Sequence, residues 1–286
     1  RPSIENISII IGNNYPSSKS DPTFYSDPNE QNYTDIPLIS KPIIRLSGVS
    51  FSYCTSEDKW ALLDVSLSIN PGDKVAIVGL SGSGKSTCCD LILGLLQPTK
   101  GHIYVEGRDL NAYNSKTPTW QGWQRRIAYV PQDIYLLEGS FISNIAFGSN
   151  EDSIDYARVR LAAEKARILD LILSTPGGFN TPVGERGVRL SGGQRQRIGI
   201  ARALYKEASV LVFDEATSSL DTLTESQISE SIYELDSSIT TILIAHRMTT
   251  IVHSDMIFLL SKGKLVAYGT YDQLRNNSPE FRDLIG

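Results

Sequence analysis

The sequence predicts an α/β protein: a core around a mainly parallel sheet, an antiparallel β subdomain ahead of it, and a helical subdomain near residues 133–205. Three observations carry this. The runs Val75 to Val78, Val210 to Phe213 and Thr241 to Ala245 are short and almost continuously apolar, as strands buried on both faces are. Val49, Phe51 and Tyr53 alternate with Ser50 and Ser52, and Val65, Leu67 and Ile69 with Ser66 and Ser68, the pattern of half-buried strands. Between Tyr156 and Leu173, apolar residues recur at helical spacing through Val159, Ala162, Ala163, Ala166 and Leu169. Parallel strands cannot be joined by hairpins, so helices are expected between them.

Residues 1–40 differ from the rest. Ile4, Ile7 and Ile11 keep a helical spacing, but Asn13 to Pro37 is rich in Ser, Asn, Asp and Pro without a period. The reading is the end of a helix from an upstream region followed by a linker, in which Tyr15, Phe24, Tyr25 and Tyr33 are available to pack on a domain spanning 41–286. A β pattern starts at Ile43. Asn70-Pro71-Gly72-Asp73 is a turn into the strand Val75 to Val78, and a helical run follows from Cys88 to Leu96. Pro98 to Gly101 form a turn before a strand His102 to Val105, and Ile127 to Val130 form a strand ending at Pro131-Gln132. Pro176-Gly177-Gly178 closes the helical stretch that starts at Tyr156. Ser191-Gly192-Gly193 opens a helix from about Gln194 to Tyr205. Further on come a helix near Glu225 to Leu235 and a hairpin, Met256 to Leu260 with Lys264 to Tyr268, across Lys262-Gly263. There is no internal repeat and no heptad pattern.

Composition narrows the function classes. The 286 residues are 41% hydrophobic and 21% charged, with net charge −5 and no long run of Lys and Arg, so nucleic acid is not an expected ligand. Three cysteines, Cys54, Cys88 and Cys89, suit neither a disulfide framework nor a zinc site and point to a reducing compartment. No apolar run approaches the roughly 18 residues of a membrane span, and no signal-peptide pattern occurs. A chain beginning at Arg1 without Met reads as a fragment.

The chemistry concentrates at the junctions of strands and loops. Within Lys74 to Thr87, KVAIVGLSGSGKST, the spacing Gly79, Gly84, Lys85, Ser86 fits the phosphate-binding pattern G-x-x-x-x-G-K-[ST]. Glycines let the backbone curl so that successive N–H groups along Ser81, Gly82, Ser83, Gly84, Lys85, Ser86 and Thr87 face one anion, and the following helix adds its positive end. Lys85 would reach the β- and γ-phosphates of ATP, and the Ser86 hydroxyl would hold Mg²⁺. The strand Val210 to Phe213 ends in two acids: Asp214 would hold Mg²⁺ and Glu215 would polarise an attacking water.

The run Val188 to Arg197, VRLSGGQRQR, resembles the LSGGQ signature of ATP-binding cassette (ABC) proteins, and from about Ile43 onward the chain is similar to the nucleotide-binding domain of an ABC exporter. The resemblance implies a P-loop NTPase core with a helical signature subdomain, in which ATP lies between two such domains, in the simplest case a homodimer. It implies that Tyr53 stacks on adenine and that Gln132 joins the Mg²⁺ and water network. Ser191, Gly192, Gly193 and Gln194 would contact the γ-phosphate held by the partner, Ser218 to Asp221 would cross the dimer interface, and His246 would touch the γ-phosphate. His102 and His253 match nothing and read as ordinary histidines. The segment Thr181 to Gly187 resembles the exporter loop in which Glu185 reaches the membrane domain. Trp123 to Gln132, with Ile134 to Leu137, resembles half-transporters that flip lipid-linked saccharides. Cys88-Cys89, Ala267 and Tyr271 depart from common exporter sequences without touching a nucleotide position. The expected function is ATP hydrolysis powering export, at the cytoplasmic face of an inner or plasma membrane, through an upstream transmembrane domain. The alternative is a soluble ABC ATPase acting as a binding switch in repair or translation. Such proteins usually carry a coiled-coil insertion, two cassettes or a basic surface, and this sequence has none of them.

Overall fold

Among the described residues, ten strands form two sheets. The computed structural model describes residues 42–54, 59–110, 118–184, 187, 190–214, 222–245 and 251–285. The expected helix end and linker, residues 1–40, lie outside these. The smaller sheet is antiparallel, in the order β2-β1-β4-β5: β1 is Ile44–Phe51, β2 is Leu62–Ile69, β4 is Lys100–Val105 and β5 is Arg108–Asp109. The larger sheet has the order β10-β9-β3-β8-β7-β6. Its strands β3 (Lys74–Val78), β6 (Ile127–Val130), β7 (Val210–Asp214), β8 (Thr240–Ile244) and β9 (Met256–Ser261) are parallel, and β10 (Lys264–Gly269) closes one edge as an antiparallel hairpin.

The apolar runs are continuous because both faces of the large sheet are covered. Along β3, Val75 and Ile77 enter the core shared with the antiparallel sheet, whereas Ala76 and Val78 enter the core under the helical region. β7 divides likewise, with Val210 and Val212 on one side and Leu211 and Phe213 on the other. Side chains on successive strand residues point to opposite faces, so one strand serves two cores.

Two helical expectations are corrected. The run after the glycine loop is helical over Lys85–Ile92 (α1), starting earlier and ending sooner than Cys88 to Leu96. Gly94 takes φ +71°, its N–H bonds to the Leu91 carbonyl and the Leu95 N–H to the Asp90 carbonyl, a left-handed stop that closes the helix. The stretch from Tyr156 to Leu173 is two helices, α4 (Tyr156–Lys165) and α5 (Leu169–Ser174). Arg167 at φ +53° makes the same stop in the middle, with Ile168 N–H on the Ala163 carbonyl, and its guanidinium pairs with Glu230 and Glu234. Helical spacing continues across the break because both pieces bury residues in one core.

Four further helices carry no sequence expectation. Helices α2 (Pro118–Arg126) and α3 (Phe141–Ile145) precede α4 in the chain, and α8 (Tyr271–Asn277) and α9 (Pro279–Ile285) end it. A capping box of Thr270 and Gln273 opens α8 and was legible as T-x-x-Q. The remaining helices, α6 (Gly192–Tyr205) and α7 (Thr222–Tyr233), each lie within about three residues of expectation.

Helix α2 holds the far end of α1. Trp123 Nε1 donates to the Ile92 carbonyl at 2.8 Å, Trp120 Nε1 to Gly94 at 3.1 Å, and Gln124 Nε2 to Leu93. Residues 120, 123 and 124 share one helix face, so three carbonyls at the end of α1 are met by three side-chain donors. Lys206, just past α6, donates to the carbonyls of Gln124 and Ile127 at 2.7 Å each, and burial brings its pKa down to about 8. Among the described residues, no helix is long and apolar enough to cross a membrane.

Trp123 is 2% exposed, so Trp123→Phe removes both ring volume and the only donor its side chain can offer to Ile92. We expect a loss of about 2 kcal/mol in unfolding free energy, read from the denaturant midpoint. A change below about 0.5 kcal/mol, the scatter of ordinary surface substitutions, would show that this contact does not hold α1 in place.

Candidate active site

Parallel strands bring their carboxyl ends to one edge, where ligands of open α/β sheets bind. Here β3 runs into Gly79, β6 into Pro131-Gln132, β7 ends on Asp214, and β8 ends just before Ala245. Residues distant in sequence therefore meet at one edge. His246 follows directly after Ala245 and Glu215 after Asp214; both, with Glu185 and Ser218 to Asp221, lie outside the described residues.

The glycine loop is held by close backbone contact. Gly79 has φ +150°, and a Cβ there would lie 2.2 Å from the Leu260 carbonyl of β9 and 2.6 Å from Ser83 Oγ. Gly84 has φ +104° and is the N-cap of α1; its Cβ would meet the Ala61 carbonyl at 2.7 Å. Any side chain at either position would displace main chain. The turn of the β9–β10 hairpin supports the loop through the Gly263 N–H, which donates to the Ser83 carbonyl at 3.0 Å.

Three features make the loop receptive to phosphate. No side chain caps the start of α1, so the helix presents its N–H groups outward. Lys85 is 5% exposed, and its ammonium donates to the Gly79 and Leu80 carbonyls at 2.8 and 3.1 Å, which places the cation within the curl. Ser83 Oγ is buried with no hydrogen-bond partner, an arrangement that costs free energy until a ligand supplies one. Ser81, Gly82 and Ser86 are exposed and Thr87 is buried.

Tyr53 stands over this loop. Its ring meets Phe51 edge-on at 4.9 Å, its hydroxyl lies 3.2 Å from Thr87 Oγ1, and 60% of its surface is exposed, so a broad ring face is open to a planar ligand.

The acidic side of the edge is Asp214, half-buried, which accepts a 2.9 Å hydrogen bond from the Tyr129 hydroxyl. Asp90 of α1 lies close enough to Asp214 for the two charges to interact: burial first, then Asp214, raises its pKa to about 6. Burial drives the Cys88 thiol to about 12 and Cys89 well above its ordinary value, so both thiols are unreactive packing residues. The Asp214 carboxylate, the Ser86 hydroxyl and the exposed Gln132 amide all stand at or after strand ends at this edge, and oxygen donors of these kinds are the ones Mg²⁺ takes. Among the described residues, no group of three His, Cys, Asp or Glu forms a metal cage, whereas Mg²⁺ is usually held by one or two carboxylates together with substrate phosphates.

The second glycine loop differs in one respect. Ser191 Oγ accepts from the Gln194 N–H at 3.2 Å and Gln194 Oε1 accepts from the Ser191 N–H at 2.9 Å, a complete capping box at the start of α6. Glycine loop and signature thus lie on separate elements of one chain.

Several positioning residues gave no sequence signal. Asn144, fully buried, bonds Leu137 N–H and the Leu137 and Ser140 carbonyls, and so shapes the turn after Gln132. Arg202 of α6 donates to the Asn144 and Tyr135 carbonyls, and burial takes its pKa down to about 10. Val183 N–H meets the Gly139 carbonyl at 2.9 Å, tying the segment before the signature to the same turn. His102 pairs with Asp109 at 2.7 Å and His253 lies edge-on to Tyr233, both remote from the strand edge.

The fold and the glycine loop define a phosphate-loop ATPase. The family model described as ABC transporter matches residues 62–218, and the chain belongs to this family, carrying its ATP-binding ATPase domain. It is 41% identical over 258 residues to an ATP-dependent lipid A-core flippase of Alkalilimnicola ehrlichii, covering 90% of this chain and 43% of that protein. It is 42% identical over 231 residues to ABC transporter B family member 15 of Arabidopsis thaliana, covering 81% of this chain and 18% of that one. A solved bacterial Atm1-family ABC exporter with ATP bound superposes with TM-score 0.76 at 35% identity, over 90% of this chain and 45% of the exporter. The chain thus spans less than half the length of these relatives.

Asp90 supplies a pH test. Its folded pKa of about 6 exceeds the unfolded 3.8, so the folded state binds the extra proton between those values and stability falls as pH rises through this window. In metal-free buffer, Asp90→Asn should be more stable than the parent at pH 7, with the difference vanishing below about pH 4. Equal melting temperatures at pH 7 would show that neither burial nor Asp214 strains the ionised Asp90 carboxylate.

Proposed function

We propose that the chain is the nucleotide-binding domain of an ABC exporter half-transporter, residues 41–286 with a helical part near 133–205, preceded by a linker in residues 1–40. It binds ATP with Mg²⁺ and hydrolyses it in a sandwich of two such domains, which drives transport. The observation that supports this best is that the two glycine loops lie on different elements: the first lies at the sheet edge with Asp214, and the second opens α6, where Ser191 and Gln194 cap each other.

In this reading Tyr53 stacks on adenine, and Gly79 to Thr87 wrap the phosphates with Lys85 on the β- and γ-oxygens. Ser86, Asp214 and Gln132 hold Mg²⁺, which when bound offsets phosphate charge. Glu215 orients water and accepts its proton, His246 touches the γ-phosphate, and Ser191, Gly192, Gly193 and Gln194 donate to that phosphate from the partner chain. A homodimer with two such sites is the simplest assembly. The exporter relatives support an upstream transmembrane domain and a place at the cytoplasmic face of a membrane. The flippase relatives support a saccharide-bearing lipid as cargo.

If Tyr53 stacks on the base, Tyr53→Ala should raise the KM for ATP by a factor corresponding to about 1 kcal/mol while Tyr53→Trp is tolerated. Equal losses in both, with lowered melting temperatures, would make Tyr53 a packing residue.

The composite site is tested by mass action. If the dimer alone is competent, specific ATPase activity should rise with protein concentration. Lys85→Ala and Ser191→Arg chains should each be nearly inactive alone. Mixed, they form heterodimers with one doubly damaged site and one intact site, and activity should return in part. Flat specific activity across a range that includes demonstrably monomeric samples would mean that one chain completes the site and that the role given to Ser191 is wrong.

A further inference from the structure

Tyr129 lies three residues before Gln132, and neither the phosphate-binding pattern nor the signature motif includes it. In β6 it pairs with Val212 of β7, two residues before Asp214. Alternation along parallel strands therefore puts Tyr129, Val212 and Asp214 on one face of the sheet. That face carries α1: Ile127, Val210 and Val212 share a core with Cys88, Cys89 and Leu91, and Tyr129 packs against it. The Tyr129 hydroxyl reaches Asp214 Oδ2 at 2.9 Å, and that half-buried oxygen accepts its proton. Charge-assisted hydrogen bonds of this kind are about twice as strong as neutral ones.

We infer that Tyr129 is a positioning residue for metal-assisted nucleotide binding: its hydroxyl holds the Asp214 carboxylate in the orientation that accepts Mg²⁺ beside the phosphate loop. A carboxylate at a strand end can turn about its terminal bond, and here Asp90 repels it from the α1 side. A donor on one oxygen restrains that turning. Outer partners of metal-holding carboxylates typically contribute 10- to 100-fold to metal affinity. The inference rests on the proposed role of Asp214 as the Mg²⁺ carboxylate.

The test is the ratio of dissociation constants for a fluorescent ATP analogue measured in EDTA and in excess Mg²⁺, using the full chain without turnover. In the parent, Mg²⁺ should tighten binding. Tyr129→Phe should leave the EDTA constant unchanged, which also reports an intact fold and phosphate loop, and reduce the ratio by about tenfold. Asp214→Asn should reduce it at least as far, and Tyr129→Phe added to Asp214→Asn should change it no more, the signature of two groups acting as one unit. If Asp214→Asn lowers the ratio but Tyr129→Phe does not, the inference is overturned while the reading of Asp214 stands. If Asp214→Asn leaves the parent ratio, both fall. A Tyr129→Phe variant that weakens binding equally in EDTA and Mg²⁺, or a further loss in the double variant, would make Tyr129 a packing residue acting independently of Asp214.

Discussion

The close approach of Gly79 to the Leu260 carbonyl is the constraint on which the rest of the site depends. With only 2.2 Å available to a Cβ, the loop leaving β3 lies directly on the neighbouring parallel strand β9. The chain must then turn at once, and it does so through Gly82 and Gly84 at positive φ into α1. Because β3 is central and buried on both faces, the loop cannot shift without moving two cores. A binding site for a multiply charged ligand needs such rigidity, since donors that must reorganise on binding give back part of the interaction energy.

The two helix starts show how local chemistry separates the roles of similar sequences. SGSGKS and LSGGQR both bring glycines to a helix N-terminus. At α1 no side chain supplies a cap, and a buried lysine fills the curl. At α6 the serine and glutamine cap each other, and the helix start is stable without a ligand. The first arrangement leaves the helix start open, and the second closes it with its own side chains.

Rigidity at the far ends of the helices complements this. The carbonyl end of α1 is held by Trp120, Trp123 and Gln124, and the α2–β6 corner is held by Lys206 at the end of α6. The glycine loop, the strand leading to Gln132 and the signature helix are thus linked through main-chain carbonyls. Such links depend on backbone position more than on side-chain identity at the accepting residue, so the sequence around the acceptors can vary without loosening them.

Much was legible in the sequence because period and spacing are local. The apolar runs of β3, β7 and β8, the alternation of β1 and β2, the glycine loop and the acid at the end of β7 are each recorded within a few consecutive residues. The misplaced helix ends have one cause. Gly94 and Arg167 stop α1 and α4 in the left-handed conformation, and the arginine, which local propensity does not mark as a stop, is held there by tertiary contact with Glu230 and Glu234. What only the tertiary structure decided is which distant residues meet: Tyr129 with Asp214, Asp90 opposite that acid, Lys206 under the α2–β6 corner, and Tyr53 over Thr87. By itself the sequence determined most of the strands, the glycine-loop spacing and the family. The partners of each buried polar group follow from strand order and register, which are set by long-range packing and leave no mark on a single stretch of chain.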